Sequence, residues 1–280
     1  MFNSSLKNDA LAIHQKEVDK YNNAYETMIT SCDRLYQKRL SSVDYIDKIN
    51  MLINSIANTP KDFEKKIQSI KKERDKFTEN RKYVKESMKS TVESGVGIFG
   101  AIGAGGVFAG VAPNIAMSIA TTFGTASTGT AISSLSGAAA TKAALAWLGG
   151  GVLQAGGGGM AAGQALLALA GPIGWGIAAA GTGVSLISLT LKNKKIADNA
   201  VDEAKKIAKL RSSVVNTNEK ISNLIHKTEL LLEKLNCQYS DLSVYESADY
   251  TVLTEDIQIQ FGTLVNNTLS LSELINKTVQ

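Results

Sequence analysis

The sequence predicts an all-α protein, a long antiparallel coiled-coil-like helical bundle bearing a Gly/Ala-rich hydrophobic helical head. Three observations lead there. Apolar residues recur at three- and four-residue steps through both ends of the 280-residue chain. Only Pro60, Pro113 and Pro172 interrupt it. Few segments alternate apolar and polar residues as a half-buried strand does.

Residues 1–93 read as a charged helical arm, with expected breaks near Thr30–Arg34 ("TSCDR") and at "ANTPKD". Val43, Ile46, Ile49, Ile53 and Ile56 step by three and four, and Pro60 stands where a new helix can begin. Beyond it Phe63, Ile70, Phe77 and Val84 recur every seven residues, a narrow coiled-coil-like stripe.

Residues 192–280 form a second charged arm. Ile207/Leu210, Val214/Thr217, Ile221/Leu224 and Thr228/Leu231 make successive a/d pairs leading to Leu235. The stripes of Phe63–Val84 and Ile207–Leu235 are expected to pack as antiparallel helices. The less regular stretch beginning "NCQYSDLSVYESADY" predicts a loop, and Leu264 to Val279 a final amphipathic helix.

Between the arms, residues 94–191 hold one charged residue, Lys142, of the chain's 56, and 23 of its 24 glycines. A polar Gly/Ser linker seldom holds both tryptophans of a chain, and glycine inside an element costs roughly 0.5–1 kcal/mol relative to alanine, so this composition asks for an unusual environment. Gly95–Ala112 and Ile173–Leu191 are uncharged runs of 18 and 19 residues, lengths that suit a hydrocarbon slab of about 30 Å. Residues 94–191 therefore read as a membrane-insertion head, with Phe99, Ile102, Phe108, Trp147, Trp175, Leu186 and Leu189 as the side chains expected to enter lipid. The first run carries seven strongly apolar residues, which supply only about −2 to −4 kcal/mol on insertion scales. Close helix packing offsets that weakness: Gly106-xxx-Gly110 and Gly159-xxx-Gly163 let backbones approach in lipid, and copies of the chain are expected to associate there. Lys142 would cost about 2.5–3.5 kcal/mol at a bilayer centre, so it is assigned to a lumen or an interface, and nearby Trp147 favours interfacial depth.

No motif points to an enzyme, a cofactor or a metal. Gly95–Gly100 matches G-x-G-x-x-G, but a lysine-rich helix precedes it where the fingerprint needs a strand, and no acid follows until Asp198. A phosphate-binding G-x-x-x-x-G-K-[ST] is missing. His14 and His226 are expected at the surface, and Cys32 and Cys237 as free thiols. The arms carry net charges of +4 and −1, which excludes a polyanion-binding tail and so nucleic acid as partner. Lys61–Lys89 is nonetheless basic, with 11 basic and 6 acidic residues directly before the head, and Lys192, Lys194 and Lys195 follow it. Basic clusters at both edges resist translocation and place both arms on one side of a membrane. The first residues lack an apolar h-region, so the chain is expected to be soluble before insertion and either cytoplasmic or exported by an unconventional route.

Long charged helices flanking a hydrophobic, glycine-rich head resemble the layout of α-helical pore-forming toxins of the cytolysin A and haemolysin BL type. The resemblance covers the architecture of most of the chain, and the neutral block of nearly 100 residues is longer than those toxins' simple hairpin. It implies a soluble bundle whose shielded head inserts on assembly, with a lipid membrane and further copies of the chain as partners and room for a second protein component. Two alternatives stand beside it: a secreted translocator of the type III kind, and a coiled-coil scaffold anchored by its hydrophobic block.

Overall fold

In the computed structural model, residues 4–87, 117, 119–148, 160 and 189–279 are described. Their main α-helices are α1 (Ser4–Ser55), α2 (Lys61–Ser87), α3 (Gly137–Leu148), α4 (Leu189–Leu242) and α5 (Glu255–Leu274), with a further short helical stretch at residues 119–123. Single 3-10 turns lie at Ile132–Ser134, Ser243–Tyr245 and Tyr250–Val252. The protein is all-α; among the described residues the only β pairing is three isolated bridges.

The helices are long because their stripes are uninterrupted. In α1 the buried positions Val18, Tyr21, Tyr25, Met28, Cys32, Leu35 and Arg39 step by three and four straight through the expected break at Thr30–Arg34. No break forms there, since the buried stripe continues through it, and the polar side chains bond back onto the helix's own carbonyls. Thr30 Oγ1 donates to the Glu26 carbonyl at 3.0 Å and Ser31 Oγ to that of Thr27 at 3.1 Å. In α4, Ala200, Ile207, Val214, Ile221, Thr228, Leu235 and Leu242 are all buried, an unbroken seven-residue period. α4 ends at Leu242, and the loop expected in the less regular stretch follows it, before α5, which spans Glu255–Leu274 rather than starting at Leu264. Glu255 and Asp256 in its first turn complement the helix dipole, a start signal outside the apolar pattern.

The chain makes two compact units: Met1–Ser31, Ser87–Glu219 and Thr278–Gln280 form one, Cys32–Glu86 and Lys220–Lys277 the other. The compositional boundaries at 93/94 and 191/192 follow charge; the units follow contact.

The second unit is a four-helix body. α2 runs antiparallel to α1, with Arg74 Nη2 2.7 Å from Asp47 Oδ2 and Phe77 and Thr78 facing Leu40, Val43 and Asp44 across a groove. α4 runs parallel to α1: Arg34 Nη2 lies 2.9 Å from Glu229 Oε1, and one turn group further on Tyr45 donates to Asn236 Oδ1 at 2.9 Å. α5 turns back along α4, with Asn267 Nδ2 on Gln238 Oε1 at 2.8 Å. Neighbours in sequence are thus antiparallel. α2 and α4 do point in opposite directions, but Arg34–Glu229 and Tyr45–Asn236 tie α4 to α1, in parallel, while α2 meets the second arm beyond α4, through Phe63 with Tyr250 and Glu73 with Asn276. Ile46, Ile49, Ile70, Ile221, Leu235, Phe261 and Leu264 are 0–1% exposed in this body, each contributing about 1.5–3 kcal/mol by burial.

One end of this body is a pinned corner. Asn58 takes φ 56°, a left-handed conformation asparagine tolerates, and its Nδ2 donates to Asp249 Oδ2 at 2.9 Å. Ala57 and the α4–α5 connection exchange backbone hydrogen bonds, Ala57 N to Ala248 O and Tyr250 N to Ala57 O, both 2.9 Å. α1 enters and α2 leaves at the other end, where α4 enters.

In the first unit, α1 and α4 again run parallel, with His14 Nε2 3.5 Å from Glu203 Oε2 and Arg211 Nε 3.5 Å from Glu17 Oε2. Ala10, Ala197 and Ala200 pack beneath Leu11 and Val201, so small side chains set this contact. His14, expected at the surface, is 8% exposed: it falls on the buried stripe between Ala10 and Val18.

Candidate functional site

Of the residues singled out for the head, Phe99, Ile102, Gly106, Phe108, Gly110, Gly159, Gly163, Trp175 and Leu186 lie outside the described residues. Leu189 opens α4, in a stretch whose side chains also lie outside them. Lys142 and Trp147 sit on α3.

α3, "GAAATKAALAWL", turns Ala140, Ala144 and Leu148 inward at four-residue steps. Lys142 lies on the opposite, exposed face. At 1.5 Å per residue its 12 residues reach about 18 Å, short of a 30 Å slab. Among the described residues no helix is long and apolar enough to cross a membrane.

α3 packs against a compact turn. Residues 119–123 are helical, and the chain then reverses through Thr125–Thr130: Ala126 N bonds Thr130 O at 2.8 Å and Ile132 N bonds Gly124 O at 3.1 Å. Gly129 takes φ 81° at the tip, where any side chain would be strained. Gly124 is required for a different reason. A Cβ there would overlap the Ala120 carbonyl oxygen and come within 2.9 Å of Ile132 Cδ1 and 3.0 Å of Trp147 Cγ.

Into this turn fits a distant piece of chain. Val279 N donates to Phe123 O at 2.6 Å, and Val279 pairs with Gly124 as an isolated parallel bridge. Trp147 Nε1 donates to Val279 O at 2.8 Å, and Thr125 Oγ1 to Thr278 Oγ1 at 2.6 Å. Val279 is 3% exposed. Trp147, assigned from sequence to lipid, here has its indole N–H engaged inside the unit. Gly124, Thr125, Thr278 and Val279 were not singled out by the sequence. The one available signal was Trp147 itself, since a buried indole N–H needs an acceptor; a backbone acceptor leaves no residue pattern to find.

Cys32 is fully buried, and burial pushes its thiol up, away from the thiolate that reacts; Cys237 is exposed. Both cysteines are free, as expected. The groove beside Phe77 encloses about 280 Å³ and offers Asp44 and Thr78 as its polar side chains. Among the described residues no three His, Cys, Asp or Glu side chains gather closely enough to hold a metal ion. No family model, no curated protein and no solved structure matches the chain.

Proposed function

We propose that the protein inserts its neutral block into a lipid bilayer, oligomerises there and permeabilises it. One observation carries the reading: 98 consecutive residues with a single charge, Lys142, are flanked by α2 and α4, whose stripes are buried in a charged bundle. Such a length of apolar and small residues needs shielding from water, which lipid or close helix packing supplies. The basic clusters at both edges of the block, Lys82, Lys85 and Lys89 before it and Lys192, Lys194 and Lys195 after it, support an even number of passes, with both arms on the same side. The long bundle with a compact, separately packed turn at α3 supports a soluble form that later rearranges.

The test is detergent-free purified protein added to dye-loaded liposomes, with co-flotation and size measurement alongside. Dye release together with a larger lipid-bound species is expected; co-flotation without leakage would sink the permeabilising role. A scaffold anchored by the block is the second reading, favoured by the unbroken α4 stripe from Ala200 to Leu242, and it predicts that second outcome. Dye release that depends on other secreted proteins would instead favour the translocator.

A further inference from the structure

We propose that Lys277–Val279 is a latch that holds α3 and the Phe123–Ile132 turn in their closed packing, and that its release frees α3 to rearrange. That this rearrangement leads into a membrane rests on the reading just given; the latch itself does not.

Two adjacent residues collect polar contacts from three separate places in the first unit: the carbonyl of Phe123, the hydroxyl of Thr125 and the indole of Trp147. The two hydrogen bonds on Val279 engage its own N–H and C=O, so any L-residue other than proline satisfies them. The preceding carbonyl, Lys277 O, is gripped by Arg39 Nη2 at 2.5 Å, and Asn276 Nδ2 reaches Glu73 O and Oε2, each at 2.8 Å. Lys277 thus belongs to the four-helix body, whereas Thr278 and Val279 belong to the first unit.

α3 has little else to hold it. Twelve residues make a marginal helix alone. Its inward face offers two alanines and one leucine. Among the described residues, the Trp147 indole is its one side-chain hydrogen bond to another element. A short helix with a small apolar face belongs to the low-stability end of a fold, the part that opens first. Releasing Val279 removes the Trp147 acceptor and the bridge to Gly124 together, so the turn and α3 loosen as one piece.

Two variants test this. Val279→Pro deletes the N–H that bonds Phe123 O. Amide exchange across residues 119–148 is expected to quicken at least about ten-fold, while α5 and the Lys220–Leu242 part of α4 keep their protection. Unchanged exchange in 119–148 overturns the latch. The converse is Thr125→Cys with Thr278→Cys in a Cys237→Ser background, whose hydroxyl oxygens now lie 2.6 Å apart; native Cys32 stays out of the reaction because it is buried. Oxidised, this variant is expected to release at least about ten-fold less liposome dye than the wild type, with release restored by dithiothreitol; equal release before and after reduction overturns the gating role. If the wild type itself releases no dye, the membrane reading fails, and the exchange result alone decides the latch.

Discussion

Arg39, 2% exposed, donates from Nη2 to the carbonyl oxygen of Lys277 at 2.5 Å, so a guanidinium inside the four-helix body holds the chain just past α5. Burial pushes that guanidinium down to about 10, low for arginine but still charged at neutral pH. Arg39→Ala should leave a cavity and a carbonyl without its donor, destabilising by about 1–3 kcal/mol for the acceptor alone and more with the cavity. Arg39→Met fills much of the space and should lose less, because it also removes the cost of burying a charge. Urea denaturation of both variants checks the order, and a larger loss for methionine than for alanine would contradict it.

Ile70 on α2 and Ile221 on α4 are both 0% exposed, so Ile70→Asp and Ile221→Asp each place a carboxylate where nothing pairs with it. Each should cost several kcal/mol, enough to abolish the cooperative transition at moderate temperature. Met51, 66% exposed, supplies the control: Met51→Asp should stay within about 0.5 kcal/mol of wild type. Thermal melts followed by circular dichroism at the helix band distinguish the three.

Two glycines should respond with opposite signs. Gly124→Ala meets a backbone oxygen that cannot swing aside and should destabilise the turn by about 1–3 kcal/mol or more. Gly262, inside α5, has nothing within 4 Å of an added Cβ, so Gly262→Ala should stabilise by about 0.5–1 kcal/mol through helix propensity. Chemical denaturation monitored by Trp147 emission in a Trp175→Phe background for the first and by helix content for the second gives the two signs.

The Arg34 hydrogen bond, with Lys38 adding to it, holds the Glu229 carboxyl below its ordinary value of 4.5. A carboxyl lowered by folding contributes stability that is fully present above its unfolded value and is lost as pH falls through the lower folded one. Glu229→Gln should therefore cost about 0.2–1 kcal/mol at neutral pH, as exposed pairs do. Its difference from wild type should shrink as the pH drops below 4.5. Thermal midpoints at several pH values and at two salt concentrations measure it, since salt should reduce the neutral-pH difference as well.

The sequence by itself determined the helical class, the period of the stripes and the charge partition. A seven-residue period is a local property: positions such as Ile207, Val214 and Ile221 share one face whatever they pack against, and all three are buried. The charge partition is likewise a matter of composition, and it carries the functional reading. What the stripe packs against was not legible. A narrow apolar face fits any similar face, so the parallel α1–α4 ties, Arg34 with Glu229 and Tyr45 with Asn236, depended on how the chain returns after the neutral block. The burial of His14 and the continuity of α1 through Thr30–Arg34 were tertiary decisions too, because an amphipathic helix with a partner along its length overrides weak local breakers. The docking of Val279 onto Phe123 and Trp147 was the least visible of all. It joins residues 132 and more positions apart through backbone groups every residue possesses, and only the folded chain shows which carbonyl the Trp147 indole found.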